Sequence, residues 1–169
     1  PYTLHHTPIF MKKIFFLAAM LLLTFTAFAE TIPANDSRVT YVGRTLVEGT
    51  DVSFDWTATY FRLSFSGRSL TMRATDTKWD ATPEMAATRH NYYNVWIDAP
   101  MSAEPHRIIE VASADTIIEL IDPAYLKKSK IKEHQVIVQK RTEGEQGKMT
   151  IHEFATDAKG VFYQAEPIR

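Results

Sequence analysis

The sequence predicts an all-β protein, a two-sheet β-sandwich that is jelly-roll-like and preceded by the helix of a signal peptide. Three observations predict this fold class. Apolar and polar residues alternate with a period of two in many short runs after residue 38. Turn-forming residues separate those runs. After residue 29, no apolar run at helical spacing is long enough to suggest a stable helix. Short strands at this spacing are typical of a sandwich, either jelly-roll-like or immunoglobulin-like.

The first 29 residues are not expected to belong to that fold. Residues 1–10 are expected to be an upstream extension, because a signal peptide places its initiator methionine beside its lysines. Met11–Ala29 has the charged, apolar and small-residue regions of a secretory signal peptide. A membrane anchor is the alternative, but the uncharged part, Ile14–Ala29, is only 16 residues long, and a span needs about 20. We therefore expect cleavage after Ala29, export to the periplasm or the medium, and no membrane attachment afterwards.

The composition excludes several classes of protein. The chain has no cysteine, which removes disulfides, thiolate metal sites, catalytic thiols and a lipid-anchored cysteine. Residues 30–169 are expected to form one β-sandwich domain, since a chain of this length can bury about two-thirds of its unfolded surface without crosslinks. Removing Lys12 and Lys13 from the 19 basic residues leaves 17 against 20 acidic ones. No basic field therefore suggests nucleic acid or an anionic membrane as a partner.

The first half of the domain contains four predicted strands and one long loop. The first two strands are Val39–Val42 and Val52–Trp56. Tyr60–Phe65 and Leu70–Ala74 alternate apolar and polar residues on either side of Gly67-Arg68, and they predict a hairpin. Thr75–His90 is polar and contains a proline, so it is predicted to be a surface loop with at most one helical turn.

The second half is predicted to contain six more strands. Asn91–Asp98, His106–Val111 and Thr116–Ile121 are followed by the lysine-rich segment Pro123–Lys132, which is predicted to be a solvated loop rather than an anion site. The remaining strands, His134–Glu143, Lys148–Phe154 and Val161–Tyr163, are predicted to form an antiparallel meander. In that meander Gly144–Gly147 is the hairpin loop and Gly160 takes a positive φ.

The sequence contains few motifs that indicate catalysis or metal binding. The sequence has no Gly-x-Ser-x-Gly, Gly-Asp-Ser or His-Glu-x-x-His motif and no phosphate-binding glycine loop. The histidines of the domain are isolated in sequence, so we expect no metal and no cofactor and assign them to strand edges or the surface. Four carboxylates could supply a glycosidase-type acid–base pair, although their spacing singles none of them out: Asp55, Asp98, Glu143 and Glu145.

Three aromatic residues are candidates for contact with carbohydrate. Trp79, Tyr92 and Trp96 could form a stacking platform, because a flat apolar ring with a polar edge suits the face of a sugar. The alternative is that Tyr92 and Trp96 cover the second sheet or a contact between domains, and we favour it.

Several segments together resemble the amino-terminal domain of carbohydrate esterase family 2. They are Tyr41–Arg44, Phe54–Trp56, Leu63–Phe65 with Gly67, Tyr93–Asp98, and His134–Glu143 with Gly147. The most specific part is Lys140-Arg141-Thr142-Glu143. The resemblance implies a structural role for these four residues and for Gly43, Arg44, Asp98, His134 and Gly147. Lys78–His90 is longer than the tight loop of the family, so the resemblance does not support a role for Trp79.

The resemblance also implies a partner domain. Members of the family have a β-sandwich of this length followed by an SGNH (GDSL-type) hydrolase domain that removes acetyl groups from plant polysaccharides such as xylan and glucomannan. The chain ends where that hydrolase domain is expected to begin, so it is expected to be a fragment of a longer product. The resemblance therefore implies a non-catalytic domain of an acetylesterase, and no catalytic residue can be carried over to it. A stand-alone carbohydrate-binding module and a structural or adhesive sandwich are the alternatives.

Overall fold

The computed structural model describes residues 29–77, 90–111 and 115–164. Over these ranges the chain forms two antiparallel sheets that enclose one apolar core, and the predicted β-sandwich is confirmed. The predicted signal peptide, apart from Ala29, and Trp79 lie outside the described residues. Among the helices that are described, none is long and apolar enough to cross a membrane. The strands β1 to β12 are, in order, Thr31–Pro33, Thr40–Val42, Leu46–Glu48, Asp51–Phe54, Tyr60–Phe65, Leu70–Thr77, Asn91–Ile97, Arg107–Val111, Asp115–Glu119, His134–Lys140, Lys148–Thr156 and Phe162–Tyr163.

The strands divide between two sheets that the chain visits almost alternately. Sheet 1 has the order β3-β4-β11-β6-β9, and β1 pairs with the free part of β11. Sheet 2 has the order β12-β5-β10-β7-β8, and β2 pairs with β5 beside β12. The long strands β10 and β11 each lie in the middle of a sheet, so two strands that follow one another in sequence organise the two layers.

The alternation in the sequence correctly predicts which side chains face the core. In β5, Phe61, Leu63 and Phe65 are fully buried, and in β6 Leu70 and Met72 are buried as well. Burial of apolar side chains of this size contributes about 1.5–3 kcal/mol each. The core is completed by apolar residues from most of the other strands.

Both predicted hairpins are wrong. β5 and β6 lie in different sheets, and so do β10 and β11, so the segments at Gly67 and at Gly144–Gly147 carry the chain across the core from one sheet to the other. The predicted meander is wrong for the same reason. Alternation with a period of two identifies the buried face of a strand, but it does not identify the neighbouring strand. Two strands whose apolar faces meet across the core have the same pattern as two strands that pair side by side.

The lysine-rich segment also differs from its prediction, because it contains a short helix, α1, Pro123–Lys128. The Asp122 side chain accepts a hydrogen bond from the Ala124 amide at 2.8 Å and caps the helix, and Pro123 occupies the first turn. Leu126 is buried at 5% exposure. The segment is therefore anchored to the core rather than fully solvated.

The turn before β12 contradicts one further prediction. Gly160 is not among the glycines with positive φ. Glycine is required at this position for a steric reason, because a Cβ here would collide with the Thr156 side chain and the Ser66 carbonyl oxygen.

Candidate functional site at the loop end of the sandwich

Most of the family-motif residues gather at one end of the sandwich, which we call the loop end and define as residues 43–45, 55–59 and 141–147. Backbone and side-chain contacts join these segments. The Ala58 amide donates to the Lys140 carbonyl at 3.0 Å, and the Thr57 hydroxyl donates to the Thr142 carbonyl at 2.9 Å. Gly43 takes φ +115° and lies against Thr59. Gly147, at φ +126°, leads the chain from this end into β11.

Lys140 is the centre of this end. The alternation of β10 directs its side chain inward, and the residue is only 1% exposed. Its ammonium group donates to the Thr142 carbonyl at 2.8 Å, the Thr142 hydroxyl at 3.1 Å and the Glu143 carbonyl at 2.9 Å. Burial lowers the pKa of Lys140 to about 8, against the opposing effect of nearby carboxylates such as Asp76.

Asp76 supplies a buried charge of opposite sign from the other sheet. It continues the inward alternation of β6 and is 4% exposed. Asn91, at the start of β7, donates from its amide nitrogen to Asp76 at 2.7 Å and to the Gln146 carbonyl at 3.2 Å. The Asn91 amide oxygen accepts from the Thr142 hydroxyl at 2.7 Å. Both sheets and the 141–147 loop are thereby held in one polar network.

The network is suited to holding the loop in place rather than to catalysis. The three protons of an ammonium group match the three acceptors around Lys140. A lysine with a pKa near 8 could act as a base, but an amine that is 1% exposed cannot reach a substrate. The Glu143 carboxylate lies 3.1 Å from the Thr57 hydroxyl at the rim. Arg141 is exposed, and its amide donates to the Tyr92 carbonyl at 2.9 Å.

Two family-motif residues lie at the opposite end of β10. The His134 Nδ1 atom is 2.7 Å from the Asp98 carboxylate, whose second oxygen accepts from the Gln135 amide at 2.9 Å. Asp98 adopts φ +54°, a conformation that aspartate tolerates better than most residues. His134 is 2% exposed, so its assignment to the surface is wrong. The pair fastens the end of β7 to the start of β10.

Of the three aromatic candidates, Tyr92 and Trp96 lie in the described residues and differ in exposure. Tyr92 is 38% exposed and borders a shallow hollow of about 380 Å³ with Arg141 and Thr142. Trp96 is 3% exposed, and its indole nitrogen donates to the Ala103 carbonyl at 2.9 Å. Since the Trp96 ring is covered, it matches the alternative in which this residue covers the second sheet. Contact with carbohydrate at Tyr92 stays a prediction.

An exposed tryptophan that sequence reasoning did not single out lies at the same end. Trp56 is 55% exposed, and the Arg44 guanidinium carbon lies 4.8 Å from the centre of its ring. Both residues border a groove of about 310 Å³. The sequence placed Trp56 inside a strand, whereas β4 ends at Phe54. Alternation places Trp56 on the same face as the buried Val52 and Phe54, so no signal in the sequence indicated its exposure.

A second missed cluster lies on the outer face of sheet 1. His152 is hydrogen-bonded to the Thr75 hydroxyl at 2.8 Å through Nε2 and to Asp51 at 2.9 Å through Nδ1. The order hydroxyl, imidazole, carboxylate is that of a hydrolase triad. However, backbone N–H groups of a sheet point toward neighbouring strands, so none projects from this face to stabilise an oxyanion. His152 lies at the irregularity between Ile151 and Glu153 in β11, and we assign the cluster to fixing that irregularity.

The described residues contain no group of three or more His, Asp or Glu side chains that could hold a metal ion. His90 is paired with Glu110, and the hydrogen bond from His90 lowers the pKa of that carboxyl.

Residues 41–165 match the family described as the carbohydrate esterase 2 N-terminal domain. No curated protein matches the chain. Among solved structures, a family two carbohydrate esterase from Cellvibrio japonicus is 19% identical with a TM-score of 0.64, and the match covers 83% of this chain and 36% of that one.

Two further structures share the fold at low identity. An acetyl xylan esterase from the rumen bacterium Butyrivibrio proteoclasticus is 10% identical with a TM-score of 0.61, and the match covers 82% of this chain and 34% of that one. A family two carbohydrate esterase from Clostridium thermocellum in complex with cellohexaose is 16% identical with a TM-score of 0.59, and the match covers 76% of this chain and 34% of that one. The chain thus spans about a third of the length of the solved structures it matches. Because the family match extends over most of the sequence, the chain belongs to the amino-terminal domain family of carbohydrate esterase 2.

Proposed function

We propose that this chain is the non-catalytic amino-terminal domain of an exported carbohydrate acetylesterase and that it supports a downstream hydrolase domain of the SGNH type. The observation that carries the proposal is the family match over residues 41–165, together with the coverage of only about a third of the esterase structures that share the fold. A domain that accounts for a third of an enzyme leaves room for a separate catalytic domain of ordinary size.

The side chains of the described residues support a scaffolding role. The buried Lys140 network holds the 141–147 loop through satisfied hydrogen bonds, and the His134–Asp98 pair does the same at the other end of β10. The described surface also exposes several large apolar residues, which another domain could cover. They are Leu46, Val47, Trp56, Tyr92, Ile108, Ile117, Ile131, Val161 and Tyr163.

The proposed substrate of the whole enzyme is an acetylated plant polysaccharide such as xylan or glucomannan. Support comes from the family and from the similarity to an acetyl xylan esterase. Cleavage of the signal peptide after Ala29 and a periplasmic or extracellular location belong to the same proposal, because such a polymer is met outside the cytoplasm.

The test is to read the native gene beyond the codon for Arg169 and to express the whole product. We expect an open frame that encodes a Gly-Asp-Ser segment, and release of acetate from acetylated xylan or glucomannan by the whole protein. Replacing the serine of that segment by alanine should abolish release, and the 169-residue chain alone should show none above buffer. A stop codon directly after Arg169, or hydrolysis by the 169-residue chain itself, would refute the proposal.

A stand-alone carbohydrate-binding module is the second candidate, and the exposed Trp56 ring with its stacked Arg44 favours it. The reading frame distinguishes the two candidates. A stand-alone module would be retained on polysaccharide although its gene encodes no hydrolase domain.

A further inference from the structure

The groove beside Trp56 is formed where β3, β4 and β11 end at the loop end of sheet 1. It has a volume of about 310 Å³, which lies at the lower limit for small-molecule sites. Its walls combine the apolar Leu46 and Trp56 with the charged Arg44, Asp55 and Lys148. Leu46, which pairs with Ser53 of β4, is 54% exposed and therefore lies on the outer face of the sheet.

The Trp56 ring is held in place and yet remains open. The Arg44 guanidinium lies over the ring at 4.8 Å from its centre, a distance at which a cation is attracted to an indole face. At 55% exposure, much of the indole still contacts solvent. A ring that is already oriented loses little conformational freedom on binding, so its apolar surface can contribute to affinity.

The charges around the groove favour an uncharged ligand. Arg44 and Lys148 are cationic, whereas Asp55 is anionic, and all three border the same space. A polyanion would meet the Asp55 carboxylate, and a polycation would meet the two basic groups. A neutral molecule that is rich in hydroxyl groups can donate to the carboxylate and accept from the cations. A sugar ring also has an apolar face of C–H groups, which suits an indole.

We propose that the groove bounded by Trp56, Arg44, Leu46, Asp55 and Lys148 binds a sugar unit of a neutral polysaccharide, with one face of the sugar on the Trp56 indole. This inference rests on the proposed function for its substrate class, and it assigns to the non-catalytic domain a direct contact with the polymer. The site lies on sheet 1 and is separate from the hollow at Tyr92.

The experiment is a titration of the isotope-labelled 169-residue chain with xylohexaose, mannohexaose and cellohexaose, followed through the tryptophan indole N–H resonances. We expect a saturable shift of the Trp56 resonance, which Trp56→Phe assigns, with at least one of these sugars. The Trp96 indole should not shift, since it is buried and bonded to Ala103. An acidic oligogalacturonate should bind more weakly than the best neutral sugar.

Substitutions separate the proposed site from other surfaces. Trp56→Ala should weaken binding at least tenfold and Arg44→Ala several-fold, whereas Tyr92→Ala should leave affinity within twofold of wild type. An unchanged Trp96 resonance in Trp56→Ala verifies that the variant is folded.

Three outcomes would overturn the inference. They are the absence of saturable shifts with every neutral sugar, loss of binding in Tyr92→Ala instead of Trp56→Ala, and a Trp56 resonance that moves only with the concentration of the chain, which would identify a second copy as the occupant. None of them bears on the encoded hydrolase domain. The inference can therefore fail while the proposed function stands, and the reverse also holds.

Discussion

Gly43 combines a backbone requirement with close packing. At φ +115° a side chain is strained, and a Cβ would lie 2.8 Å from the Thr59 hydroxyl and 3.1 Å from the Thr59 Cα atom. We expect Gly43→Ala to lower the free energy of unfolding by about 2–4 kcal/mol. Gly49 is a matched control, since it has φ +63° and a Cβ added there would meet nothing within 4 Å. Gly49→Ala should lower the free energy of unfolding by about 1 kcal/mol. Urea denaturation measures both variants, and equal losses of stability would contradict the role of crowding at Gly43.

The buried Lys140 amine makes stability depend on pH in the alkaline range. Its pKa falls from 10.5 to about 8 on folding. Below pH 8 the amine is protonated in both states, so it adds no pH dependence. Between pH 8 and 10.5 the unfolded chain keeps a proton that the folded protein has released, and the contribution of Lys140 to stability rises with pH.

We therefore expect a difference between wild type and Lys140→Met that depends on pH. At pH 7 the variant should be less stable by about 3 kcal/mol, because it loses the bonds to Thr142 and Glu143 and removes a cation that faces Asp76. The gap should widen as pH rises from 8 to 10. Chemical denaturation at each pH measures this gap, and Lys127→Met, at an exposed position of α1, controls for the loss of a positive charge. A gap that narrows above pH 8 would contradict the lowered pKa.

The Lys140 network contains contacts that alternation in the sequence predicts and others that it does not. Lys140 continues the inward series His134, Val136 and Val138, and Asp76 continues the buried series of β6. The inward position of Lys140 was therefore available from alternation. Asp76 was not, because residues 75–90 were predicted to be a surface loop, whereas β6 continues to Thr77 and keeps Asp76 on its buried face. The partners Asn91 and Thr142 were not available, because their contacts depend on how the loops approach in space.

Arg38 joins the first and last elements of the described fold. Its guanidinium donates to Glu30 at 2.7 Å, to Asp36 at 2.9 Å and to the Phe162 carbonyl of β12 at 3.3 Å. The side-chain hydrogen bond from Arg38 is the largest of the causes that lower the pKa of Asp36 below its ordinary value of 3.8. The stabilisation is present above pH 3.8 and is lost as pH falls through the lower value of the folded state.

Arg38→Met should accordingly reduce the free energy of unfolding by about 1 kcal/mol at pH 7. The gap to wild type should shrink as pH falls below 3.8, where Asp36 becomes protonated. Urea denaturation at pH 7 and pH 3 measures both values. Arg68→Met removes an exposed arginine and should have little effect at either pH. A gap that is the same at both pH values would argue against the Asp36 contact as its source.

At the scale of strands, the sequence identified most elements but not their neighbours. Gly67 and Gly147 were interpreted as hairpin glycines, and both belong to connections between the two sheets. The reason is that apolar faces of consecutive strands meet across the core, and a single sequence carries no record of which strands pair. The six-residue helix α1 was missed because it is too short to have helical periodicity, although Asp122-Pro123 is a helix-start signal.

At the scale of the whole molecule, the family could be identified from the sequence, whereas the groove at Trp56 could not be predicted from it. The resemblance depends on local segments such as Lys140–Glu143, which are read directly from the chain. The groove depends on the approach of β3, β4 and β11, which come together only through the sheet order.

Under the proposed function, the hydrolase domain follows β12 in the chain, so the surface beside this strand is a candidate for contact with it. Val161 precedes β12 and Tyr163 lies in it, at 45% and 36% exposure, on an edge of sheet 2. Apolar side chains on a strand edge are suited to being covered by a neighbouring domain.

We therefore predict that residues 161–164 exchange their amide hydrogens at least tenfold more slowly in the proposed full-length esterase than in the 169-residue chain. Residues 44–48 should exchange equally in both, because the groove at Trp56 must stay open to a polysaccharide. Hydrogen exchange with mass spectrometry measures both segments in one experiment, and the buried strand β10 serves as an internal reference. Protection at residues 44–48 instead would place the hydrolase domain on the groove, and it would count against a sugar site there while leaving the two-domain esterase intact.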